Sequence, residues 1–133
     1  MKTLNILFVE DEAGFNQTIT RKLLDYDFKV TSVYTYKDAI KETKHLQEAN
    51  KKNNVLITDF DLGEKTTGMD IIKETNNLFG KIILQTGTSE SAIQYRYEDY
   101  EELVSKLGIN YIFKADLSKK ILGVLDEYLK SQK

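Results

Sequence analysis

Residues 4–9 (LNILFV) form a nearly unbroken apolar run that stops at three consecutive acids, Glu10, Asp11 and Glu12. A run without polar alternation predicts a strand covered on both faces, as in a parallel sheet. From residue 13 to residue 26 the period changes: Phe15, Ile19, Leu23 and Leu24 recur at helical spacing, so a helix follows at once with acids near its positive end. Residues 28–34 (FKVTSVY), β-branched and aromatic, predict a second strand. Thr35 with Asp38 three positions on has the form of a helix start, and the polar stretch to about residue 52 reads as a second helix. Residues 54–60 predict a third strand, 67–78 a third helix and 81–86 a fourth strand. Residues 89–107 then read as one long, tyrosine-rich fourth helix, ended by Gly108 in the left-handed conformation. A short fifth strand at 110–113 leads into a closing helix with Leu117, Ile121, Leu122, Leu125 and Leu129 on one face.

Strands alternating with helices through short links imply an α/β fold: a parallel sheet with right-handed crossovers and helices on both faces. The doubly wound five-stranded sheet is the natural candidate, in its flavodoxin-like order 2-1-3-4-5. The 133 residues supply one domain, 1–133, with a single core. An apolar fraction of 41% with 30% charged residues is that of an ordinary soluble chain, with no membrane segment expected. The absence of cysteine excludes disulfides, thiolate metal sites and cysteine nucleophiles. A strand beginning at Leu4 leaves no room for a signal peptide, so a cytoplasmic location is the default expectation. A formal charge of −2 without a basic stripe argues against direct nucleic-acid binding.

The chemistry gathers at predicted strand ends. Glu10 and Asp11 end the first strand, Asp59 the third with Asp61 just beyond, Thr86 the fourth and Lys114 the fifth. In an open parallel sheet these ends share the ligand-binding edge. Carboxylates brought together repel one another unless a cation joins them, and an oxygen-only set without His or Cys suits Mg²⁺. The Thr86 hydroxyl and Lys114 ammonium would complete an anion cradle. Alone, each residue has a plainer reading: helix-end charge, turn former, loop hydrogen bond or surface cation. Glu12, nearest the helix start, takes the capping role, and His45, on a polar helix, is read as solvated.

The segments ILFVEDE, VLITDFDLG, IILQTG and YIFK resemble the receiver domains of bacterial two-component response regulators, in order and over essentially the whole chain. The resemblance implies that Asp59 is the phosphoacceptor and that Glu10, Asp11, Asp59 and the backbone carbonyl of Asp61 bind Mg²⁺. It further implies that Thr86 and Lys114 contact the phosphoryl group and that Tyr111 turns inward when Thr86 moves. The donor would be a phosphohistidine on a histidine kinase or histidine phosphotransfer protein, and an unknown downstream protein would read the switched surface. Such a chain is a phosphoacceptor and not an enzyme. Two departures stand out. Ala115 replaces the proline usual after the lysine, and the stretch from Thr86 to Lys114 is longer than the family norm. Because the fourth helix, fifth strand and fifth helix usually form the output face, Tyr95, Arg96, Tyr97 and Tyr100 are candidates for a partner surface or homodimer contact; a helix covering its own core is the alternative. Two rival functions are a receiver used as a constitutive, unphosphorylated interaction module, and a haloacid-dehalogenase-type phosphatase using Asp59 and Asp61.

Overall fold

Residues 3–132 are described by the computed structural model. Five strands, β1 (Asn5–Val9), β2 (Lys29–Val33), β3 (Asn54–Asp59), β4 (Lys81–Thr86) and β5 (Asn110–Phe113), pair in parallel in the order β2-β1-β3-β4-β5. This is the expected flavodoxin-like arrangement. The central strand β3 is buried at every position, which is why its sequence shows no polar alternation.

Strand side chains point alternately to two faces, and each face builds its own core. Leu7, Val9, Leu56 and Leu84 meet Ala39 of α2 (Tyr36–Thr43), Ile71 and Ile72 of α3 (Gly68–Thr75), Ile93 of α4 (Glu90–Arg96) and Tyr100 of α5 (Tyr100–Leu107). Ile6, Phe8, Ile57, Ile83 and Ile112 meet Ile19 and Leu23 of α1 (Ala13–Asp25) and Leu117, Ile121 and Leu125 of α6 (Leu117–Ser131). The predicted closing helix is therefore α6.

Two predicted helices are reorganised. The second stops at Thr43, where the hydroxyl donates back to the Ile40 carbonyl at 2.6 Å in competition with the helical ladder, and Glu48–Asn53 forms a separate 3-10 segment. The expected single fourth helix is two helices. The backbone is extended at Tyr97 (φ −128°, ψ 103°), whose ring stands edge-on to Phe60 at 5.6 Å and whose hydroxyl lies 2.8 Å from that of Thr67. A new helix starts at Tyr100, which is buried and donates to Glu90 at 2.8 Å. Inward pull on two aromatic rings outweighs the local helical pattern. Gly108 ends α5 in the left-handed conformation, as its position in the sequence predicts (φ 65°).

The start of α3 packs against the backbone at the end of β3. Thr67 caps it in a reciprocal capping box with Asp70, and the Gly68 N–H donates to the Phe60 carbonyl at 2.9 Å. A Cβ on Gly68 would overlap the Asp59 carbonyl oxygen. Backbone cannot give way as a side-chain tip can. Gly68→Ala is therefore expected to destabilise the protein by about 2 kcal/mol, measured as a lower urea midpoint with an unchanged denaturant slope.

Candidate functional site

The strand register brings the sequence-predicted residues to one edge. Asp59 is the last residue of β3 and pairs with Gln85; Thr86 pairs with Phe113, so Lys114 emerges beside Thr86; Val9 pairs with Thr58, so Glu10 emerges beside Asp59. Glu10, Asp59 and Thr86 are buried, whereas Asp11 is exposed. One carboxylate oxygen from each of Glu10, Asp11 and Asp59 lies within 4.8 Å of the others, the only such acidic group among the described residues. Such a hard-oxygen set fits Mg²⁺.

Lys114 is the counter-charge. Its Nζ lies 2.9 Å from Glu10 Oε1, 3.4 Å from Asp59 Oδ2 and 3.8 Å from Glu12 Oε2, with its ammonium 4.8 Å from the centre of the Phe15 ring. The Lys114–Ala115 bond is trans, and no cis peptide occurs among the described residues. Lys114 faces the acids even though Ala115 follows it. Glu12 sits at the N-cap of α1, but its side chain makes no capping hydrogen bond and instead faces Lys114.

Burial and charge separate the carboxylates. Burial, followed by the charge on Glu10, pushes Asp59 up to about 7, against the pull of Lys114, the Asp61 N–H and the Thr86 hydroxyl. Burial also pushes Glu10 upward, but hydrogen bonds from Gln85, the Glu12 N–H and Lys114 outweigh it and leave Glu10 below its ordinary value. Asp11 is raised by burial and by Glu10. Desolvation pulls Lys114 down, yet its bonds and charge contacts with Glu10 and Asp59 hold it above the usual lysine value. The resulting pattern is an ionised Glu10–Lys114 pair beside a carboxyl group poised near neutrality.

Thr88 links the remaining elements. The Asp61 N–H donates to Asp59 Oδ1 at 3.1 Å, while the Asp61 side chain turns outward to accept from the Thr88 hydroxyl at 2.5 Å and meet Arg96 at 3.8 Å. The Thr88 N–H donates to Thr86 Oγ1 at 3.1 Å, and the Tyr111 hydroxyl donates to the Thr88 carbonyl at 2.6 Å. Tyr111 is half-buried against the core beneath α4 and α5.

The four candidate surface residues divide between an outer surface and the covering of the core, the two alternatives drawn from the sequence. Tyr95 is 91% exposed and Arg96 stacks over the Phe60 ring at 4.9 Å, but Tyr97 packs against Phe60 and Tyr100 is only 1% exposed. Tyr100 belongs to the core. Sequence reading missed Asn16, whose amide ties α1 to the carbonyls of Glu10 and Val33 at 3.0 and 3.2 Å. It also missed Thr88 and Gln85; a single amide in the apolar run IILQT was the available signal for Gln85. Among the described residues, no helix is long and apolar enough to cross a membrane.

No protein-family model and no curated protein matches the sequence. Solved structures do match. The beryllofluoride-activated receiver domain of Klebsiella pneumoniae RstA is similar at 22% identity and a TM-score of 0.70, over 94% of this chain and 97% of that one. A two-component response regulator from Clostridium difficile has a TM-score of 0.77 at 14% identity over 98% and 99% of the two chains. The Vibrio cholerae chemotaxis protein CheY4 has a TM-score of 0.72 at 16% identity over 95% and 98%. With the strand order β2-β1-β3-β4-β5 and an acidic cluster at the carboxyl edge of the sheet, this chain has the fold of the CheY-like response-regulator receiver domains.

Proposed function

We propose that this chain is a phosphoacceptor in two-component signalling, taking a phosphoryl group from a phosphohistidine onto Asp59. The donor is a histidine kinase or histidine phosphotransfer protein. The observation that carries the reading is Asp59 itself: a buried carboxylate at a strand end, within reach of Lys114 and clustered with Glu10 and Asp11.

In this reading Glu10, Asp11, Asp59 and the Asp61 carbonyl would hold Mg²⁺. Bound there, the cation would offset negative charge gathering on the phosphoryl oxygens. An Asp59 carboxylate oxygen attacks phosphorus in line as the phosphorus–nitrogen bond breaks, and the bonding pair returns to the imidazole of the donor. The product is an acyl phosphate on Asp59. Lys114, already 3.4 Å from Asp59 Oδ2, follows the new negative charge. Thr86 turns its hydroxyl proton toward a phosphoryl oxygen, which disturbs its bond with the Thr88 N–H. Because Thr88 also holds Tyr111 and Asp61, that movement passes into β5 and the loop before α4. A downstream protein, or a second copy, would read the face of α4, β5 and α6, where Tyr95 and Phe113 are exposed. The chain acts stoichiometrically in the cytoplasm and not as a turnover enzyme.

Incubation with Mg²⁺ and a small acyl phosphate tests the reading by intact mass. The wild type should gain one phosphoryl group per chain and Asp59→Asn none. Equal labelling of the variant, or repeated hydrolysis of phosphomonoesters by the wild type, would sink it.

A further inference from the structure

β4 runs Ile82, Ile83, Leu84, all buried and apolar, and then places a glutamine amide at 0% exposure. Gln85 Nε2 donates to Glu10 Oε1 at 2.9 Å, whereas Gln85 Oε1 is the one buried side-chain polar atom among the described residues with no hydrogen-bond partner. The amide's orientation follows from its partner, since turning it over would set its carbonyl oxygen against a carboxylate. An amide satisfied at one end only is a poor choice for a sheet interior, where an apolar side chain of similar volume would carry no such penalty. Apolar packing of the sheet does not explain this residue. Its single bond, to Glu10, does.

Three donors hold the Glu10 carboxylate. Oε1 accepts from Gln85 and Lys114, and Oε2 accepts from the Glu12 N–H at 2.9 Å. They differ in character. Lys114 is a flexible cation shared with Asp59 and Glu12, and it must turn toward any anion that forms on Asp59. The Glu12 N–H lies in the same loop as Glu10. Gln85 alone is neutral, completely buried and anchored in an interior sheet strand, so it keeps its hold on Glu10 when Lys114 moves.

We propose that Gln85 is a positioning residue that orients the Glu10 carboxylate for a divalent cation, an inference that rests on the metal-site reading above. Partners of this kind set metal affinity by fixing the ligand's direction without touching the metal.

Gln85→Met tests it, because methionine keeps the length and unbranched shape but removes the amide. In the full chain, calorimetric titration with Mg²⁺ should give a dissociation constant raised about tenfold or more. A merely structural role would lower the metal-free urea midpoint and leave the Mg²⁺ affinity of the folded variant unchanged, and that outcome overturns the proposal. So does a Mg²⁺ affinity within about twofold of wild type while the wild type binds normally. A wild type that binds no Mg²⁺ overturns the metal-site reading and this inference together. A second readout does not depend on the variant's folding: in the wild type, the Gln85 side-chain amide resonances should shift with Mg²⁺ at the midpoint found by calorimetry. Unmoved resonances count against the proposal.

Discussion

Metal-free protein is expected to lose stability as pH rises from 5 to above 7, and Asp59→Asn is expected to remove Asp59's share of that loss. Burial and the charge on Glu10 raise the Asp59 carboxyl from its ordinary 3.8 to about 7 in the folded protein. Between those values the folded chain keeps a proton that the unfolded chain has released. Unfolding therefore releases a proton, and rising pH favours it. The stabilisation is fully present below the unfolded value and is lost once pH passes the folded one. At about 1.4 kcal/mol per pH unit, the displacement sets a ceiling on the order of 4 kcal/mol. Asparagine keeps the shape of the side chain without the charge, so the variant should be the more stable protein at pH 7.5 in EDTA by a large part of that amount. Urea titrations of both proteins across pH 5–8 measure it, and identical pH slopes would contradict it. Below this window Glu10 contributes with the opposite sign. Its folded-state value is depressed, so its share of stability is present above the unfolded value and is lost as pH falls.

Lys114→Met is expected to cost the metal-free protein about 3 kcal/mol at neutral pH, because it breaks a largely buried ion pair from one side. The substitution retains an unbranched stem against Phe15 but leaves Glu10, at 0% exposure, facing Asp59, at 4%, with no cation between them. Asp59 would then titrate at a still higher pH, since Lys114 is the strongest influence holding it down. Addition of Mg²⁺ should recover more stability in Lys114→Met than in the wild type, where the lysine competes for Glu10 Oε1. Thermal unfolding of both proteins with Mg²⁺ and with EDTA reads the difference. A variant as stable as wild type in EDTA would mean that the acids share no charge for Lys114 to neutralise.

Most of the sheet was legible because each strand carries its own signature. Residues 4–9, 54–60 and 81–86 are apolar runs bounded by polar residues, and burial on both faces of a parallel sheet produces that pattern directly. The site was legible for a related reason: parallel strands share one carboxyl edge, so strand-end residues far apart in sequence converge without further information. Glu10, Asp59, Thr86 and Lys114 all follow this logic.

The tyrosine-rich segment did not. Residues 89–107 have continuous helical propensity, but Tyr97 and Tyr100 gain more from Phe60, Thr67, Glu90 and the core than from an unbroken ladder. Those partners lie on other elements. The partner of Gln85 was illegible for the same reason, since its single hydrogen bond reaches from β4 past Asp59 to the end of β1. Periodicity and strand ends, both local properties, determined the α/β architecture and the acidic edge with Asp59 at its centre. The two-helix path from Glu90 to Leu107, the seat of Lys114 between Glu10 and Asp59, and the amide behind Glu10 were decided only in three dimensions, because burial in the folded chain selects among contacts that no local pattern encodes.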